Sequence, residues 1–229
     1  MTQKEVLRKL IDLLTTELKA FEFEPSYKEQ GFIKRTSTNI FSYQFLVYNR
    51  TIIKTGEKGF LIEPYIWINV KAIEKIYKEI TLNTELKTDT NFITIGNSIA
   101  NIIANPDGLY ENRNRSLDLR IYEEEHISLV AEQLIRKFKE VAFPYCLNNS
   151  TVAMVDKIIN ARPNEYKVHM SNDNYRILKG IIAAKLNNNP QLQELIGIYE
   201  KQIIDRDMYN VTDEMSRLKD ILPRIEGNS

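Results

Sequence analysis

Residues 59–80 read GFLIEPYIWINVKAIEKIYKEI, and the change of hydrophobic period inside them decides the fold class. Phe60, Ile62, Pro64, Ile66, Ile68 and Val70 alternate with Leu61, Glu63, Tyr65, Trp67 and Asn69, the two-residue period of a strand with one apolar and one mixed face. After Val70 the spacing lengthens. Ile73, Ile76, Tyr77 and Ile80 fall three and four apart, with Lys71, Glu74, Lys75 and Lys78 elsewhere, as on a helix with one buried stripe. Pro64 has no amide hydrogen to give to a ladder, which predicts an edge strand or a bulge near it.

Upstream, residues 5–18 carry Val6, Leu7, Leu10, Leu13, Leu14 and Leu18 on one helical stripe. A short strand opens at Gly31-Phe32-Ile33-Lys34-Arg35, residues 36–39 make a polar turn, and 40–48 alternate as a second strand that leads back to Gly59. Downstream, 84–90 is a polar link. The β-branched runs 92–95 and 99–103, broken at 96–98, read as one bulged strand or two. Leu117, Leu119 and Ile121 alternate as the last strand. From Glu123 the period is helical: Glu123, Glu124 and Glu125 suit a first turn, and Pro144 predicts the end of that helix or a kink in it. Ser150 is a candidate N-cap for a helix over 151–161, and 174–186, 192–205 and 212–222 read as three more. This order predicts an α+β fold. Residues 1–145 hold an N-terminal helix and an antiparallel sheet of about five strands with helices on one face; 146–229 form an all-helical C-terminal extension packed on them.

The charge balance, 31 Lys plus Arg against 31 Asp plus Glu, provides no basic field and argues against nucleic acid as a partner. Cys146 is the single cysteine, so neither an intramolecular disulfide nor a Cys-rich zinc site is expected, and a reducing, cytoplasmic setting fits. The apolar residues of the first twenty are interrupted by charges, and no run reaches membrane length, so no membrane partner is expected.

Signatures of phosphate-binding loops, dinucleotide folds, zinc proteases, serine hydrolases and kinases are absent from the sequence. His126 follows three glutamates, but consecutive helical residues fan around the axis and do not converge on one ion, so it reads as an exposed first-turn residue. His169 and Cys146 read as structural, and neither a metal nor a cofactor is predicted. The sharper candidate is the mixed sheet face. If the apolar strand faces meet the helices, Ser42, Gln44, Glu63, Tyr65, Trp67, Asn69, Asp118 and Arg120 share the opposite side. Gln44, Glu63, Tyr65, Trp67, Asp118 and Arg120 are the candidate binding residues, with Tyr65 and Trp67 as stacking platforms, Arg120 as an anion clamp and Glu63 or Asp118 as acceptor or base. The same composition also reads as an ordinary wet sheet face, or as a protein-binding hot spot.

The Gly31-Phe32-Ile33-Lys34-Arg35 strand, the phenylalanine-rich strand after it, Trp67-Ile68-Asn69-Val70 and the Phe143-Pro144-Tyr145 step resemble the domain-of-unknown-function 4304 family over roughly residues 1–160. The chain departs from that pattern at Phe45-Leu46-Val47-Tyr48 and at Asn69. The resemblance implies a bacterial cytosolic protein, with an immunity-type or regulatory role, and carries no catalytic residues to any position here. The resulting expectation is a non-catalytic interaction module, with another protein or a second copy as partner, bound through the mixed face or the helical tail. Its competitor is a small-molecule-binding protein or enzyme using Glu63, Asp118 and Arg120.

Overall fold

The computed structural model describes residues 1–51, 56–83, 93–112, 115–170 and 172–227. The polar link at 84–90 and the start of the 92–95 run lie outside them. The fold is α+β, with a mostly antiparallel sheet ordered β1-β2-β3-β4-β5 and a further strand, β6, beside β4. The strands are β1 (Glu24–Ser26), β2 (Gly31–Arg35), β3 (Asn39–Thr51), β4 (Lys58–Val70), β5 (Ile95–Ser98) and β6 (Leu119–Ile121). By backbone contacts the chain forms two compact units. The first comprises Met1–Trp67, Asn97–Pro106 and Asn112–Asn148; the second comprises Ile68–Gly96, Asp107–Glu111 and Asn149–Ser229.

In the first unit, helix α1 (Gln3–Lys19) opens with a reciprocal capping box between Thr2 and Glu5 and buries Val6, Leu10, Ile11, Leu14 and Leu18. Helix α4 (His126–Lys137) lies against it. Together they line the sheet face that carries Phe41, Tyr43 and Phe45, where the buried Tyr43 hydroxyl donates to the Leu134 carbonyl at 3.0 Å. Phe138 makes edge or tilted contacts with Phe21, Phe23 and Tyr43. The β2–β3 hairpin pairs Gly31 with Gln44 through to Arg35 with Ile40, closed by Thr36 and Asn39 as the polar turn predicts.

Four expectations are corrected. Pro64 does not lie in an edge strand: β4 has β3 on one side, and on the other β6 along Phe60–Ile62 and then β5. Pro64 falls between Ile62 and Ile68, whose carbonyl takes the Thr94 amide at 2.8 Å, so its missing N–H falls outside the β6 ladder. The run 99–103 is helical: the Ser98 hydroxyl accepts the Asn101 amide and caps α3 (Ile99–Ala104), overriding the β preference of its isoleucines. Of the two readings of Pro144, an end to the helix is not what forms. A π-helical turn over Phe138–Ala142 carries α4 into α5 (Phe143–Asn148), with the Phe143 amide bonded to the Phe138 carbonyl. Thr151, not Ser150, caps the next helix, its hydroxyl accepting the Met154 amide.

The second unit holds α2 (Lys71–Ile80), α6 (Val152–Asn160), α7 (Asp173–Leu186), α8 (Leu192–Asp205) and α9 (Tyr209–Ile221). Helix α7 is buried nearly all round, including Lys179, Gly180 and Arg176, and packs against α2, α6, α8 and α9. Among the described residues no helix is long and apolar enough to cross a membrane.

Candidate functional site

Strand alternation positions the candidate face. Phe41, Tyr43 and Phe45 are buried beneath the helices, so Gln44, Leu46 and Tyr48 belong to the other side of β3. A hydrogen bond between Tyr48 and Tyr65 puts the odd-numbered residues of β4 on that same side. Register extends the face to β6: Arg120 is the partner of Leu61, and directly opposed residues share a face.

Glu63, Tyr65 and Trp67 are each half-buried. The Tyr65 and Trp67 rings stack with centroids 5.3 Å apart and planes inclined by 19°. The Tyr65 hydroxyl donates toward Glu63 Oε2 at 3.5 Å. Burial pushes the Tyr65 phenol well above its usual range, reinforced by Tyr48 and by the Glu63 carboxylate, so it remains a donor at physiological pH.

The structure thus brings three of the six predicted residues into one contact group. Gln44 stands on the same face, opposite Gly31. Asp118 and Arg120 form an exposed pair with each other, Nε to Oδ1 at 2.6 Å, and Asp118 has a left-handed backbone, φ 57°, just before β6. Among the described residues Glu63 is not an ion-pair partner of Arg120, so the anticipated convergence of two carboxylates and a guanidinium does not form. Ser42 and Asn69 are buried, and Asn69 Oδ1 has no hydrogen-bond partner. Sequence reasoning passed over Leu46 and Tyr48, which are 37% and 41% exposed and supply the open apolar surface beside the stack. Their signal was the alternation that singled out Gln44.

The two histidines have structural positions. His126 is half-buried rather than exposed, and its Nδ1 accepts the amides of Tyr122 and Glu123 at 3.2 and 3.3 Å, so it closes the turn into α4 after the three glutamates. His169 is packed near Gly108, and burial brings its imidazole down to about 4. Cys146 is buried with a free thiol, which burial pushes well above its ordinary range. Compared with family models, with curated proteins and with solved structures, the chain matches none of them.

Polar groups missed by sequence reasoning lie in the second unit. Lys179 Nζ meets Glu74 Oε1 at 2.8 Å with both side chains almost fully buried, and it donates to the Ile93 carbonyl and sits 4.7 Å from the Tyr77 ring centroid. Thr94 donates to the same Glu74 oxygen at 2.6 Å, while Glu74 Oε2 has no hydrogen-bond partner. Arg176 is fully buried, bonded to Asp173, the Pro163 carbonyl and Gln202. Asp156 accepts from the side-chain amides of Asn160, Asn187 and Asn189. The partners of these three groups come from helices and turns within the unit, as in a packed scaffold.

Proposed function

We propose that the protein is a non-catalytic interaction module that binds another protein through the face formed by Leu46, Tyr48, Tyr65 and Trp67. The observation carrying this reading is the stacked, half-buried Tyr65–Trp67 pair beside exposed Leu46 and Tyr48. Rigid aromatic surface with a polar margin is what concentrates binding energy at protein interfaces, because two-torsion side chains lose little entropy when covered. The charged groups at the margin favour binding over catalysis. Asp118 holds Arg120, and Glu63 faces the Tyr65 hydroxyl, so each is already engaged with a neighbour instead of converging on a shared point.

A cytoplasmic location suits the single, buried, unpaired Cys146. An immunity-type or regulatory role is the narrower form of the proposal and draws on the family resemblance. The test is capture of a stoichiometric partner from the native host by the tagged protein, compared with Tyr65→Ala/Trp67→Ala and with Leu129→Ala, which alters an exposed leucine of α4. A partner retained by Leu129→Ala and lost by the double variant supports the face. Equal retention by the double variant, with an unchanged circular dichroism spectrum, would remove it.

A further inference from the structure

Where β3 ends and β4 begins, Asn49, Arg50, Thr51, Lys58, Gly59, Phe60 and Tyr122 line a cleft of about 490 Å³ together with Met1. All belong to the first unit. Its charge is one-sided: Arg50 and Lys58 both line it, and among the described residues no carboxylate does. Among the described residues neither cation has an ion-pair partner, in contrast to Lys9, Lys19, Lys34, Lys137 and Lys139, each of which is matched with a glutamate. Two like charges lining one concavity raise its potential.

The rest of the lining adds donors and shape. Asn49, Thr51 and Tyr122 bring an amide and two hydroxyls. The Tyr122 ring is seated over Gly59: a Cβ there would stand 2.5 Å from Tyr122 Cδ1 and 2.6 Å from the Ile121 carbonyl oxygen. Only glycine therefore lets the ring occupy this wall.

We propose that this cleft is a binding site for a small polyanion bearing phosphoryl or carboxylate groups, held by the Arg50 guanidinium and the Lys58 ammonium. A guanidinium presents paired donors to two oxygens of a phosphoryl or carboxylate group, and a lysine adds a mobile point charge. The site is distinct from the aromatic patch, since none of Leu46, Tyr48, Tyr65 or Trp67 lines it, and it stands whether or not that patch binds a protein.

The probes are inorganic pyrophosphate and citrate, titrated calorimetrically into the full chain at low salt. The expected result is saturable one-to-one binding of at least one of them. Stronger binding of pyrophosphate assigns the site to phosphoryl groups, and stronger binding of citrate assigns it to polycarboxylates. Arg50→Ala/Lys58→Ala weakens binding by about tenfold or more, without lowering the melting temperature, because both side chains are exposed. Gly59→Ala, which displaces the Tyr122 ring, weakens it as well. Arg35→Ala, an exposed cation remote in register, and Tyr65→Ala/Trp67→Ala leave it unchanged. The proposal is overturned if neither probe saturates the protein, if the Arg50/Lys58 variant binds as tightly as the parent, or if Arg35→Ala causes an equal loss.

Discussion

At the scale of single residues, the most consequential pair is Glu74 with Lys179. Both are nearly inaccessible, and Lys179 is placed between the Glu74 carboxylate, the Ile93 carbonyl and the rings of Tyr77 and Tyr175. Burial lowers the Lys179 pKa and the Glu74 carboxylate opposes that shift, so the charged form rests on its partner. Removing one member leaves the other buried and uncompensated. Glu74→Gln or Lys179→Met is therefore expected to cost about 3–5 kcal/mol in urea unfolding, whereas Glu74→Leu/Lys179→Met restores much of that loss. If the double variant is no more stable than the worse single variant, the pair is not what the site is organised around. This pair was illegible in the sequence. Glu74 sits among Lys71, Lys75 and Lys78 and reads as part of a solvated helix flank; its partner lies more than a hundred residues on, and periodicity carries no information about which distant charge will face it.

At the scale of elements, period was a good guide wherever one side of an element meets a core. The β4-to-α2 switch, the β2–β3 hairpin, α1 and the tail helices are all present where their apolar spacing predicts them. It failed where a local hydrogen bond outweighs propensity, at Ser98, whose hydroxyl starts a helix in an isoleucine-rich run; and it left open an end or a kink at Pro144, where a π turn over Phe138–Ala142 carries the helix on. The candidate face was legible to the same extent. Alternation grouped Glu63, Tyr65 and Trp67 correctly, but it does not encode that Asp118 and Arg120 satisfy each other. Helix crossings add a further demand on residue size. Gly180 of α7 lets Asn160 of α6 donate to its carbonyl at 2.9 Å, while Tyr199 of α8 donates to Asn160 Oδ1 at 2.6 Å. A Cβ at position 180 would stand 2.8 Å from Asn160 Oδ1 and 3.1 Å from the Tyr199 hydroxyl. Helix propensity alone favours Gly180→Ala by about 1 kcal/mol. The crowding reverses that sign, and a net destabilisation of about 1–3 kcal/mol is expected in chemical denaturation. A stabilised Gly180→Ala protein would show that the crossing relaxes freely.

At the scale of the whole molecule, formal neutrality at pH 7 and a pI near 6.8 mean that acidification is felt through particular sites rather than through a large starting charge. His169 is one such site, and its surroundings tie together distant segments of the second unit. Its carbonyl accepts the Gly96 amide, Val168 donates to the Gly108 carbonyl, and Tyr110 donates to the Tyr166 carbonyl. Burial first, and then the nearby Lys167 charge, hold the His169 imidazole near 4 against an ordinary value of 6.5. The folded state therefore binds its proton less readily than the unfolded chain, and between these values unfolding is accompanied by proton uptake. The contribution to stability is fully present above about pH 6.5, declines as pH falls toward 4, and amounts to about 3 kcal/mol across that window. Urea unfolding of the parent and of His169→Gln at matched pH values separates this contribution from that of the carboxylates, which titrate in both proteins. The difference in stability between parent and variant should shrink as pH is lowered from 7.5 to 4.5. A constant difference over that range would mean that the imidazole is protonated as easily in the folded protein as in the unfolded chain, and that the segments around Gly96, Gly108 and His169 leave it open to water.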